Sequence, residues 1–249
     1  MCLLILAWRD APGSRLLLLG NRDEFHARPS APAAWWDDAP GLLAGRDLVA
    51  GGSWLGVTRA GRFAVVTNVR EPQRPPPDAA LSRGHLVRDF LLGDATPERF
   101  VAALAPDRYP GFNLLVGDAG SLWYASNRAA PRALAPGVYA LSNATLDAPW
   151  PKVERLRARF AAARDDATAS LALLADRSPA PDATLPTTGL PLALERLLSA
   201  PFVASPEYGT RASYRLTIGD DRQAQLRERS FAPDGRQFGE RVLAFQVAA

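Results

Sequence analysis

Sulfur and imidazole are scarce in this chain, which has one cysteine, one methionine and two histidines in 249 residues. A single thiol excludes an internal disulfide, and one cysteine with two histidines is too small a ligand set for a Cys/His zinc centre. Long apolar runs are missing as well. Nothing approaches the ~18 apolar residues of a spanning helix, so no stable membrane insertion is expected. The apolar stretch at residues 3 to 8 is too short for the hydrophobic region of a signal peptide, and no basic segment precedes it, so the cytoplasm is the expected compartment. Blocks of like charge are also absent. The formal net charge is only +3 despite a pI near 9.4, and the basic residues are scattered, so no nucleic-acid partner is expected. Of 29 basic residues only Lys152 is a lysine. That bias is explained equally by a GC-rich genome and by a need for guanidinium groups against carboxylate or phosphate.

What is present is globular: 47% hydrophobic and 22% charged residues exclude wholesale disorder. A layered fold can hold 249 residues around one continuous core, so residues 1 to 249 are expected to form a single domain. Short strands are expected at residues 2 to 8, 15 to 20, 42 to 45, 53 to 58, 62 to 68, 112 to 118, 122 to 126, 138 to 143, 212 to 218, 223 to 230 and 241 to 247. Helical periods run through Leu81 to Leu92, a segment opening at Thr96-Pro97-Glu98, a long segment after Pro149-Trp150-Pro151, and residues 167 to 175 and 190 to 198. Strands, then helices, then strands, without steady alternation, point to an α+β fold with mostly antiparallel sheets. The prolines between residues 27 and 40 predict irregular chain there, and Trp35 and Trp36, costly to leave in water, predict that it lines or covers a cleft.

The chemistry concentrates at the start of the sequence. If Met1 is removed, Cys2 carries both a thiol and a free α-amine; an amine titrating near ~8 can take the thiol proton without a histidine. The turn Ala11-Pro12-Gly13-Ser14 would fold the chain into a hairpin and return Asn21-Arg22-Asp23-Glu24 to the neighbourhood of Cys2. A guanidinium there would favour the thiolate, and a carboxylate would hold the α-amine. Asn68, Asn143 and Arg211 are likewise expected at strand ends or in adjoining turns, where the strand fixes a side chain and the loop leaves it reachable. The asparagine amides are candidate donors to an oxyanion. Each has an ordinary alternative: an inert buried thiol, turn or cap asparagines, a solvated arginine.

Met1-Cys2, Gly20-Asn21-Arg22-Asp23-Glu24-Phe25, Arg28-Pro29-Ser30, Gly51-Gly52-Ser53-Trp54-Leu55-Gly56, Thr67-Asn68, Gly111-Phe112-Asn113-Leu114, Leu141-Ser142-Asn143-Ala144, Pro149-Trp150-Pro151-Lys152 and Tyr208-Gly209-Thr210-Arg211 together resemble the NRDE family, also called the Transport and Golgi Organisation 2 family. The resemblance implies a four-layer αββα sandwich of the N-terminal-nucleophile hydrolase type, similar to bile-salt hydrolases and penicillin V acylases. In those relatives the terminal cysteine is nucleophile and base, an Arg and an Asp follow in a Gly-Arg-Asn-x-Asp stretch, and two Asn and a late Arg complete the site. Carried onto this chain, the resemblance implies catalytic roles for Cys2, Asn68, Asn143 and Arg211. Aligning on Gly20 puts Asn21 and Glu24 in the Arg and Asp roles, whereas aligning on the arginine selects Arg22, with Asp23 beside it. The implied activity is cleavage of an amide or thioester bond of a small apolar acyl substrate, with no cofactor required. The alternative it implies is a non-catalytic carrier of haem, acyl-CoA or lipid, in which Cys2, His26 and His85 would face iron and Trp35 and Trp36 the porphyrin.

Overall fold

The computed structural model describes residues 3–248, so Cys2 lies outside the described residues. Two strands set the geometry: β1 (Leu3–Ala11) and β2 (Ser14–Phe25), paired antiparallel through a turn in which Gly13 adopts a φ of 77°. Side chains alternate across a strand, so this hairpin presents two faces. Leu4, Leu6, Trp8, Leu16 and Leu18 enter one core, and Leu3, Ile5, Ala7, Leu17 and Leu19 another. Burial on both faces is why these strands read as unbroken apolar runs.

The hairpin is the middle of the first sheet. In it β10 (Gly137–Leu141), β1, β2, β11 (Tyr208–Gly219), β12 (Gln223–Phe231) and β13 (Gln237–Gln246) are neighbours in that order. The second sheet runs in order through β3 (Ser30–Trp36), β4 (Ala39–Asp47), β5 (Leu55–Thr58), β6 (Phe63–Asn68), β7 (Phe112–Gly117), β8 (Leu122–Ser126) and β9 (Arg132–Ala133). Leucines from the first sheet and Leu43, Val57, Val65 and Leu115 from the second share one core. Outside the second sheet, α1 (Arg83–Leu92) packs on β4 to β7 and α2 (Pro97–Ala102) on β8. Outside the first, α3 (Pro151–Ala163) covers β1 and β10, and α4 (Ala167–Leu173) packs on β11. The result is a four-layer αββα sandwich in which every paired strand is antiparallel to its neighbour. A shorter helix, α5 (Leu192–Leu198), lies further along the chain. Among the described residues no helix is long and apolar enough to cross a membrane.

The cap read from the sequence holds, since Thr96 accepts from the Arg99 N–H ahead of Pro97; the structure adds Ser82, which accepts from the Gly84 N–H at the start of α1. One segment differs from expectation, and at two others a strand runs past its expected bounds. Residues 30–36 form a strand despite Pro32, because β3 is the sheet edge and its pairing with β4 slips between Ala31 and Ala34. Asn21 to Glu24 form no turn but the last part of β2, paired with β11 along its length. Arg211 sits in no loop but at a bulge in β11, between Thr210, opposite Asp23, and Ala212, opposite Arg22.

One acid joins the two sheets. Glu228 on β12 is buried and accepts from the Ala33 N–H of β3 at 2.6 Å and from the Ser230 hydroxyl at 3.2 Å. Burial pushes its carboxyl above the ordinary glutamate range, against the opposing pull of those donors and of Arg241 and Arg22. A raised folded-state value means that the native protein holds this proton more tightly than the unfolded chain, so its contribution to stability falls as pH rises from the unfolded value through the folded one. The midpoint of urea denaturation is therefore expected to decline across that interval in the wild type and to decline less in Glu228→Gln. Parallel pH profiles for the two proteins would contradict this assignment.

Candidate active site

The pleat that divides the leucines of β2 also divides its polar end. Asn21 continues the helix-facing row and is fully buried. Its Nδ2 donates to the carbonyls of Leu174 and Pro201, each at 2.8 Å, and its Oδ1 accepts from Ser213 Oγ at 2.6 Å. All the hydrogen-bonding groups of this amide are used within the fold, which pins β2 to the end of α4. Asp23 lies on the same face, and its carboxylate accepts from Thr210 Oγ1 at 2.6 Å.

Arg22 and Glu24 face the other sheet. The Arg22 guanidinium stacks over the Trp54 ring at 3.9 Å and lies 3.8 Å from the Glu24 carboxylate. Trp54 is brought there by a close approach of two backbones, in which the Ser53 N–H donates to the Gly84 carbonyl at 3.1 Å. A Cβ on Gly52 would lie 2.6 Å from that same oxygen. Only a residue without a side chain fits at position 52.

The strand ends of the two sheets are tied to each other beside this stack. Thr67 Oγ1, near the end of β6, donates to the Ser142 carbonyl at 2.9 Å, and the Arg70 N–H donates to the Asn143 carbonyl at 2.7 Å. Asn143 Nδ2 donates to the Asn68 carbonyl at 3.0 Å. Asn113 donates from Nδ2 to the Ala144 carbonyl at 2.7 Å and accepts from the Tyr124 hydroxyl at 2.7 Å. These bonds hold Asn68 and Asn143 at one place, although β6 and β10 belong to different sheets.

Two cavities meet at that place. One, of about 520 Å³, is walled by Arg22, Glu24, Arg28, Trp54, Val66 and Leu81 among others; the second, of about 120 Å³, is walled by Arg70, Asn143, Lys152, Leu190 and Leu198. Asp23, Asn68 and Tyr208 belong to both walls. At the rim of the larger cavity Arg28 and Asp47 pair at 2.7 Å. Burial alone would raise the Asp47 carboxyl, but the Arg28 guanidinium and the Val49 N–H outweigh it and hold the carboxyl below its ordinary range. The described start of β1 lies at this end: Leu3 is opposite Asn21, and Leu4 is opposite Leu141, two residues before Asn143.

The structure thus gathers Arg22, Asp23, Glu24, Asn68 and Asn143 around adjoining cavities. Arg211 is set further back: its guanidinium donates to the Phe25 carbonyl at 3.4 Å and to that of Arg28. Burial draws the Arg211 guanidinium below its ordinary range, with the charge of Arg22 acting in the same sense. His26, His85, Trp35 and Trp36 line neither cavity. His26 Nε2 bonds with the Ser205 carbonyl at 3.1 Å and His85 Nε2 with the Ala50 carbonyl at 2.7 Å. Trp35 packs edge-on against Phe245, and Trp36 Nε1 donates to the Ala44 carbonyl. Among the described residues no group of three or more His, Cys, Asp and Glu could hold a metal ion. Lys152, Tyr208 and Trp54 are wall residues whose place in the site the sequence did not mark, although each stands in one of the family-like motifs.

The layering places the protein among αββα sandwiches. Within that class, the chain belongs to the Transport and Golgi organisation 2 family, whose profile matches residues 1–233. It is 33% identical over 258 aligned residues to the Transport and Golgi organization protein 2 homolog of Bos taurus, covering 92% of this chain and 93% of that one. The Homo sapiens homolog is 32% identical over the same coverage. Among solved structures, a Caenorhabditis elegans ortholog of N-acylethanolamine-hydrolyzing acid amidase is similar over 86% of this chain and 92% of its own, with a TM-score of 0.49 and 11% identity.

Gly52→Ala is expected to push the Gly52–Trp54 segment off α1, costing about 1–3 kcal/mol as overpacked sites do. It would also loosen the Arg22–Trp54 stack. Thermal melts with indole fluorescence read both effects; an unchanged melting point would show that the two backbones can separate freely.

Proposed function

We propose that the protein is an acyl hydrolase in which Cys2, exposed as the first residue by removal of Met1, is the nucleophile. The α-amine of Cys2 takes the thiol proton as the sulfur adds to the carbonyl carbon of an amide or thioester. The tetrahedral intermediate then expels the amine or thiol, which leaves with that proton, and a thioester to Cys2 remains. Water, deprotonated by the same amine, hydrolyses the thioester and releases the carboxylic acid. Asp23, Asn68 and Asn143 are the polar groups proposed to surround the reacting centre, with Arg22 behind them.

The observation that carries this reading is the convergence of Asp23, Asn68, Asn143 and the first described residue of β1 at one end of the two sheets, beside two adjoining cavities. The volume of the larger cavity, about 520 Å³, is in the range of small-molecule sites. Phe25, Trp54, Val66 and Leu81 give it apolar wall for an acyl chain, and Arg22 and Arg28 give it donors. No cofactor enters the proposed reaction, and the cytoplasm is the proposed compartment.

Intact-mass measurement tests the first premise, with loss of Met1 expected. Assays with short-chain amides and thioesters are then expected to show turnover that falls by about a thousandfold or more in Cys2→Ala, as removal of a nucleophile does. Equal rates in the two proteins, or a retained Met1, would overturn the proposal. A retained Met1 combined with saturable binding of haemin or an acyl-CoA would favour a carrier instead.

A further inference from the structure

Lys152 is the only lysine of the chain and is 1% exposed. It is the second residue of α3, where the positive end of the helix dipole opposes a cation. Burying an ammonium is costly in itself, and this placement adds to the cost. Its Nζ donates to the Leu198 carbonyl at 3.0 Å, and its side chain walls the 120 Å³ cavity with Asp23, Asn68 and Asn143. Every other basic residue is an arginine, whose planar fork suits paired recognition; lysine supplies a compact point charge on a flexible stem. A costly charge aimed at a small polar chamber is the pattern of a group retained for chemistry rather than for stability.

The charges around that chamber can be enumerated. Asp23 comes from β2, Lys152 from α3, Arg70 from the segment after β6, Tyr208 from β11, and Glu195 reaches Arg70 from α5. Arg70 and Glu195 pair at 2.8 Å and offset each other. Lys152 and Asp23 add one charge of each sign to the same wall, acting in opposite senses on any ionising group placed between them. Without Lys152 the wall would be net negative, which disfavours a thiolate and favours a protonated amine.

We infer that Lys152 is a positioning residue of the proposed reaction, its ammonium keeping the Cys2 α-amine free to take the thiol proton and stabilising the negative charge the sulfur gains as that proton leaves. The inference rests on the placement of the Cys2 chemistry at this chamber. Because the chain has one thiol, iodoacetamide reports on it without ambiguity. The full-length protein, Lys152→Met and Lys152→Arg are alkylated across pH 5 to 10, and the midpoint of the rate profile is read for each. The wild-type midpoint is expected below the ~8.5 of an ordinary thiol. It is expected to rise by about one unit or more in Lys152→Met, giving roughly tenfold slower alkylation near neutrality, and to stay near the wild-type value in Lys152→Arg.

Equal midpoints in wild type and Lys152→Met would overturn the inference. So would a wild-type midpoint at or above ~8.5, or a thiol inert at every pH, and these two results need no variant that folds. The reaction and the role of Lys152 fail separately. A low midpoint that depends on Lys152, without turnover, removes only the hydrolase; turnover with an ordinary midpoint removes only Lys152.

Discussion

The alternation of side chains along β2 is the constraint from which the site follows. Leu16 and Leu18 must face the second sheet and Leu17 and Leu19 the helices, because both neighbouring layers need apolar contacts. Since the strand continues to Phe25, the same parity extends to the polar end. Asn21 and Asp23 therefore belong with the helices, and Arg22 and Glu24 with the opposing sheet. A slip of one residue would exchange the two pairs and bury the arginine against α4, where Asn21 is now satisfied by three partners. Packing of the leucines and placement of the tetrapeptide are thus one choice of register.

A second constraint complements it. The ends of β6 and β10 are bound through Thr67, Ser142, Asn68, Asn143 and Asn113, so the separation of the sheets at this end is fixed by hydrogen bonds rather than by apolar volume. Buried polar networks of this kind are rigid when fully satisfied. Here the network forms the floor against which the cavities open, while Trp54, held down by the Gly52 and Gly84 approach, forms a side wall.

The β1–β2 hairpin and the main helices were legible in the sequence, since turn glycine, Thr96 and the helical periods carry local signals. The αββα layering was legible through family resemblance rather than through any pattern of hydropathy. The edge strand with Pro32 was not, because a proline forbids a strand only where its missing N–H would have had a partner. Nor was the bulge at Arg211, which is set by pairing with a strand almost two hundred positions away. The asparagines were recognisable as strand-end residues, but their convergence depends on contacts between sheets. Lys152 carried a composition signal, one lysine among 29 basic residues, whose meaning appears only with its burial in the wall.

That burial also shapes how the molecule meets its surroundings. With its single lysine shielded beneath α5 and the start of α3, the folded chain offers no side-chain primary amine to solvent. Ubiquitin transfer at lysine, which needs the amine at the protein surface, must therefore wait until Lys152 leaves its place in the wall. Such a mark would report molecules that have opened, not those in the native state.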